Sequence, residues 1–428
     1  MKKFKDIVIV GFALFSLLFG AGNLIFPPYI GVTSGSQWII SFLGFLFADV
    51  GIIVLSIISV ARAGSYQTVV QKAGEKFGFS LEVIMMLCLG PILVVPRTAA
   101  TTFEMSVQPL FSSVNPIIFS VLFFTLTLML TIRPTKVMDI IGKFLTPILL
   151  ITLAILIIKG ILSPIGDLNV NIDTDNLFSH GINQGYQTMG ALGVGGVVAL
   201  VMSSFLSKGY NDATSINLTI KAALLAAVGL VLVYTGLAYL GATASNIYNS
   251  NIPQTTLLVN ISNILLGNTG SLILAVVVAF ACLTTSIGLT SVTSKYFEDV
   301  TNKKLKYEYI VVFICVFSTI VSNFGVDKII SISVPILTVI YPVSLILVIM
   351  SFFRKLLNKD AIYKGAAYAT LLTSLLTVVD NLNLGINLNF IQKLPFSSLG
   401  LNWVVPAVVG GFLGFILSTQ VELNKAKI

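Results

Sequence analysis

The chain has 428 residues, 56% of them hydrophobic and 10% charged, with a mean hydropathy of +0.98. Soluble domains carry about 25% charged residues, so this composition excludes a soluble protein and points to a polytopic membrane protein whose main partner is the lipid bilayer. The net charge of +8 does not imply a nucleic-acid partner, because the basic residues are scattered through short polar segments and form no single patch.

Residues 11 to 31, GFALFSLLFGAGNLIFPPYIG, begin as a membrane-spanning helix and then break the pattern with Gly20-Ala21-Gly22-Asn23, closing on Pro27-Pro28. Each interior glycine costs a helix about 1 kcal/mol relative to alanine, and in a bilayer a freed backbone group must find another partner. Amides opening a second half-helix suit a carboxylate, and carbonyls ending the first suit a cation. Small residues also serve close helix packing, so this stretch by itself fits either role. Lys2, Lys3 and Lys5 precede the run with no small-residue cleavage site, which predicts that the first helix is retained.

Apolar runs near the spanning length of about 20 residues fall at 7–27, 38–61, 81–107, 115–132, 140–163, 186–206, 222–244, 268–292, 308–324, 329–352, 362–380 and 401–419. They predict twelve transmembrane helices in one domain, 1–428, with both termini on the same side. Of the 25 basic residues, all but Arg97, Lys159, Lys328 and Lys393 then lie on that side, which the positive-inside rule makes cytoplasmic, as in a bacterial plasma membrane. Trp38 and Trp403 fall at outer helix ends, as interfacial anchors do. Residues 164–185 form a polar outer loop, and 247–267 contain a candidate short helix over an outer vestibule.

The sixth run opens with a second irregularity, Gly185-Tyr186-Gln187-Thr188-Met189-Gly190-Ala191-Leu192-Gly193-Val194-Gly195-Gly196. It lies five helices after the first, an odd number, so two five-helix halves (7–163 and 186–352) would have opposite orientation, followed by two extra helices (362–419). Paired interruptions at corresponding positions point to a transporter's midplane site.

Four ionisable residues sit within or at the ends of apolar runs, where charge is costly: Asp49, Glu82, Arg97 and Glu104. Arg97 and Glu104 are two turns apart on one helical face, and Pro96 suggests a kink beside Arg97. A vestibule-facing pair that gates or orients substrate is one role; pairing for assembly alone is the other. Cys88, Cys282 and Cys315 lie in apolar runs and read as free thiols, with no cofactor or protein partner evident. A membrane-embedded transferase is a remote alternative, because the single histidine, His180, falls in the outer loop and no nucleophile-base pair accompanies it. Channel signatures and a GxxxxGK[ST] run are missing from the sequence as well.

The runs GFALFSLLFGAGNLIFPPYIG, GPILVVPRTAATTFEMS, GYQTMGALG and ACLTTSIGLT together resemble the bacterial branched-chain amino acid:cation symporter family, the leucine/isoleucine/valine carriers. The resemblance extends over most of the chain. It implies no enzyme but uptake of these amino acids with Na⁺ or H⁺, on a leucine-transporter-like fold with broken first and sixth helices. It also implies a substrate site at Gly20, Ala21, Gly22 and Asn23 with Gln187, Thr188, Met189 and Gly190, and a cation between Ser16, Phe19, Ala281, Thr284 and Thr285. The eighth-helix residues follow an i, i+3, i+4 pattern, which puts one carbonyl and two hydroxyls on one face, although such hydroxyls also bond their own helix. An aliphatic wall falls to Met189, Leu192 and Phe103. Such carriers read Thr-Met-Asp in the sixth helix, where this chain has Gly190, so the resemblance leaves the coupling ion open. The same half-helix chemistry serves other small zwitterions such as alanine or proline.

Overall fold

The computed structural model describes residues 2–132, 146–170, 176–382 and 388–425. Seventeen principal helices carry the architecture: α1 (Lys2–Leu18), α2 (Ala21–Ser34), α3 (Trp38–Leu46), α4 (Ile52–Ala63), α5 (Glu75–Leu87), α6 (Val94–Thr102), α7 (Pro116–Thr131), α8 (Thr146–Leu162), α9 (Leu177–Gln187), α10 (Val194–Ser207), α11 (Asp212–Thr243), α12 (Gln254–Leu266), α13 (Asn268–Val300), α14 (Tyr307–Ser322), α15 (Val326–Phe352), α16 (Asp360–Asn381) and α17 (Val404–Lys425). Among the described residues, seven helical segments are long and apolar enough to cross a membrane, and five shorter apolar helices accompany them. With no water in a bilayer to satisfy the backbone, an all-helical chain is the expected solution. The start of the run at 140–163 lies outside the described residues.

Small residues set the closest helix approaches. A Cβ at Gly31 of α2 would stand 2.1 Å from the Ala238 carbonyl of α11, and one at Gly241 would stand 1.9 Å from the Pro28 carbonyl. Glycine is therefore required on both sides of that crossing. The α16–α17 pair repeats the device, with Gly365 and Gly410 each facing the other's carbonyl.

Several expectations are corrected. The first span does not close at Pro27-Pro28: α2 runs on to Ser34 with both prolines inside it. A proline lacks its N–H, so the carbonyls of Asn23 and Leu24 lose their intrahelical partners while the helix continues. The segment 164–185 is not all loop, because α9 begins at Leu177. Its polar sequence hides a packing face, since a Cβ at Gly181 would stand 1.8 Å from the Ser41 carbonyl of α3. His180 is accordingly helical and partly buried, with Nε2 3.0 Å from Thr33 Oγ1. The kink in the third span lies at Gly90 (φ −82°, ψ −109°), six residues before Pro96. Pro96 sits in the first turn of α6, where no intrahelical N–H bond is lost. Trp403 precedes α17 as expected but is buried, so it is no lipid-facing anchor. The short helix expected in 247–267 is α12, and the three cysteines are free and buried.

Candidate functional site

The two breaks are built differently. Between α1 and α2, Gly20 adopts an extended conformation (φ −110°, ψ −163°). Its N–H donates to Asn23 Oδ1 at 3.0 Å, so the new helix is capped from inside its own first turn. The amides of Ala21, Gly22 and Asn23 open α2, where helix geometry offers them no preceding carbonyls. Between α9 and α10 the chain turns at Thr188 and Met189, and Met189 is left-handed (φ 61°, ψ 11°). A non-glycine residue there costs about 1 to 2 kcal/mol, so tertiary contacts must hold it.

Those contacts come from Asp49. Thr188 Oγ1 donates to Asp49 Oδ1 at 2.7 Å, and Asn23 Nδ2 reaches Asp49 Oδ2 at a long 3.5 Å while also donating to the Tyr234 hydroxyl. Asp49 is fully buried in a wider, π-type turn, Phe47–Gly51, between α3 and α4. Such turns recur at functional sites. One carboxylate thereby ties both broken helices together. A Cβ at Gly190 would lie 3.1 Å from Asp49 Oδ1. The second span thus places an acid beside the position where the sixth helix lacks one.

Beside the first break, Ser16, Phe19, Ala281, Thr284 and Thr285 converge. Thr284 Oγ1 lies 2.9 Å from the Ala281 carbonyl and 3.3 Å from the Ser16 carbonyl, and accepts from Ser16 Oγ at 3.1 Å. Thr285 Oγ1 reaches the Phe19 carbonyl at 3.4 Å. The hydroxyls bond across to α1 as well as within α13. The cluster is buried and made of uncharged oxygens, a donor set suited to a hard monovalent cation.

Arg97, only 1% exposed, lies at the same level. Its Nη1 donates to the Gln187 carbonyl at 2.9 Å, where α9 ends, and Gln187 Oε1 accepts from Ser333. Glu104 is elsewhere. Its Oε1 accepts from the Val326 N–H at 2.8 Å, capping the start of α15, and it lines a separate cavity of about 170 Å³ with Phe103. Arg97 and Glu104 are therefore not one gate, and Phe103 does not wall the break. Met189 and Leu192 are buried at the break. Tyr234 escaped sequence reasoning because a lone tyrosine in an apolar helix carries no signal of its own. A larger cavity, about 930 Å³, runs from Gly195 and Gly196 of α10 past Tyr66 and Glu82 to Lys295 at the surface.

Two interrupted helices meeting at one level, with a buried oxygen cluster between the first of them and α13, define a membrane transporter of the broken-helix class. Solved transporter structures share the fold at low sequence identity. A nucleobase-cation-symport-1 family transporter, Mhp1, matches with a TM-score of 0.66 and 10% identity over 97% of this chain and 93% of that one. A Na⁺-coupled sialic acid symporter matches at 0.64 and 13% over 96% and 90%. MhsT in complex with L-phenylalanine matches at 0.55 and 15% over 95% and 98%.

The particular family follows from sequence. The profile of the branched-chain amino acid transport proteins matches residues 3–421. The Bacillus subtilis (strain 168) branched-chain amino acid permeases BraB and BrnQ are 36% and 35% identical, covering 98% and 96% of the chain and 97% and 96% of their own lengths. A putative branched-chain amino acid carrier of Staphylococcus aureus (strain USA300) is 32% identical over 99% of both chains. The chain belongs to the branched-chain amino acid transport protein family, and is a multi-pass transport protein and no enzyme.

Proposed function

We propose that this protein takes up leucine, isoleucine and valine by symport with Na⁺, through alternating access. The observation that carries this reading is the meeting of the two helix breaks at Asn23, Asp49 and Thr188. The α2 amides would receive the substrate carboxylate, and buried Met189 and Leu192 would supply an aliphatic wall. Na⁺ is favoured at the Ser16, Phe19, Ala281, Thr284 and Thr285 cluster because none of its oxygens belongs to a titratable group that would hold a proton. The cavity ending at Lys295 would be the cytoplasmic exit.

The same reading takes the chain as one domain of twelve spans. Two inverted five-helix halves, about 7–163 and 186–352, are followed by helices at about 362–419, with both termini cytoplasmic in the plasma membrane. Uptake of labelled leucine, isoleucine, valine, alanine and proline into proteoliposomes, with Na⁺ and proton gradients imposed separately, tests it. Accumulation of the three branched-chain substrates under the Na⁺ gradient is expected. Failure of all three under either gradient refutes the reading, and accumulation of alanine or proline alone would assign a different small zwitterion.

A further inference from the structure

Arg97 is among the largest fully buried side chains of the protein. Among the described residues no carboxylate comes within 4 Å of it. Of the guanidinium's donors, Nη1 reaches the Gln187 carbonyl and Nε has no hydrogen-bond partner among the described residues. An arginine stays charged even when buried, and a buried charge without its partner is strongly disfavoured. An anion beside the group would offset that cost.

Its position says which anion. A Cβ at Gly22 would lie 2.9 Å from Arg97 Nη2, so the guanidinium rests against the backbone of the first turn of α2. On the same side it packs 5.8 Å over the Phe26 ring. The opening amides of α2 and the unpaired guanidinium are thus two independent anion-seeking features at one spot, facing the second break through Gln187. Gly22 is small because the guanidinium lies on it. We propose that Arg97 receives the α-carboxylate of the transported amino acid as a charge-assisted clamp, sharing it with the α2 amides. Arg97 is then the residue that makes the carboxylate obligatory in a substrate. This rests on the amino-acid reading above, but not on which amino acid is carried.

The test is a cycle between the protein charge and the ligand charge. Isothermal titration of the purified full-length protein with leucine and with leucinamide, which keeps the ammonium but loses the carboxylate, gives an affinity ratio. In the wild type leucine should be preferred by about 100-fold, and in Arg97→Gln the preference should fall to about two- to threefold, the share that the α2 amides keep. Arg97→Lys, which keeps a charge but not the planar fork, should lose about 10-fold of the preference. It carries the test alone if Arg97→Gln does not fold. A purely structural Arg97 would weaken both ligands equally, and an unchanged ratio in the variants overturns the proposal. If the wild type binds only alanine or proline, the branched-chain reading fails, and the same cycle with that amino acid and its amide still decides the role of Arg97.

Discussion

The break between α1 and α2 and the break between α9 and α10 do the same job by different means. In the first, glycine supplies an extended residue at position 20 and Asn23 caps the new helix three residues on, so the interruption is encoded locally. In the second, the helix is interrupted at Thr188 and Met189 and not at any of the glycines that crowd the segment. Gly185 is instead held against Ala48, with a Cβ 2.7 Å from its side chain, while Gly195 meets Tyr66 at 2.6 Å and Gly196 meets Val292 at 2.0 Å. Those glycines let neighbours approach. At the bend Thr188 Oγ1 lies 2.7 Å from both Asp49 Oδ1 and the Gly185 carbonyl, so a different helix shares in holding it. One break is capped within its own first turn, and the other is held in part by a different helix.

That contrast can be broken most severely at Asp49. Asp49→Leu removes the acceptor shared by both breaks and leaves Thr188 only the Gly185 carbonyl of its own helix and Asn23 only the Tyr234 hydroxyl, so the tie between the breaks is lost at a cost of about 1 to 3 kcal/mol. Uptake should be abolished and the thermal midpoint lowered, and a variant with wild-type uptake would remove Asp49 from the account. Asp49→Asn keeps an acceptor for Thr188 and should be the milder of the two.

A smaller and more selective effect is expected at the first break. Thr284→Val and Thr285→Val delete single hydroxyls at constant shape. The cation concentration giving half-maximal uptake should rise about 10-fold, for the loss of roughly one charge-assisted interaction, while leucine affinity at saturating cation stays near wild type. Equal loss in both quantities would make these threonines packing residues.

The smallest effect should come from Gly190→Ala. The new methyl would meet Ile53 Cδ1 at 2.5 Å, the far end of a flexible side chain, and Asp49 Oδ1 at 3.1 Å. A destabilisation of about 1 kcal/mol, read as a modest drop in thermal midpoint, is expected. A large loss of stability would mean that Gly190 itself makes the second break.

The apolar runs were legible because each is long enough to require a helix in lipid, and most fall within the helices found. Ser16, Phe19, Ala281, Thr284 and Thr285 could be named together only through the family resemblance, and hydrogen bonds join them in the fold. The start of α9 was not, since its polar surface residues look like a loop until Gly181 and Gly185 are seen packing against the second span. Nor was the separation of Arg97 from Glu104, because helical spacing gives a shared face but not what stands opposite it.

By itself, the sequence determined that this is a helical membrane protein with a glycine-broken first helix, because hydrophobic length and local backbone freedom are properties of contiguous residues. Only the tertiary structure decided that Asp49 joins the two breaks, that Tyr234 partners Asn23, and that Arg97 lies uncompensated beside Gly22. Those are contacts between residues far apart in the chain. Each is set by which helix faces approach in a bilayer that offers buried polar groups no other partner.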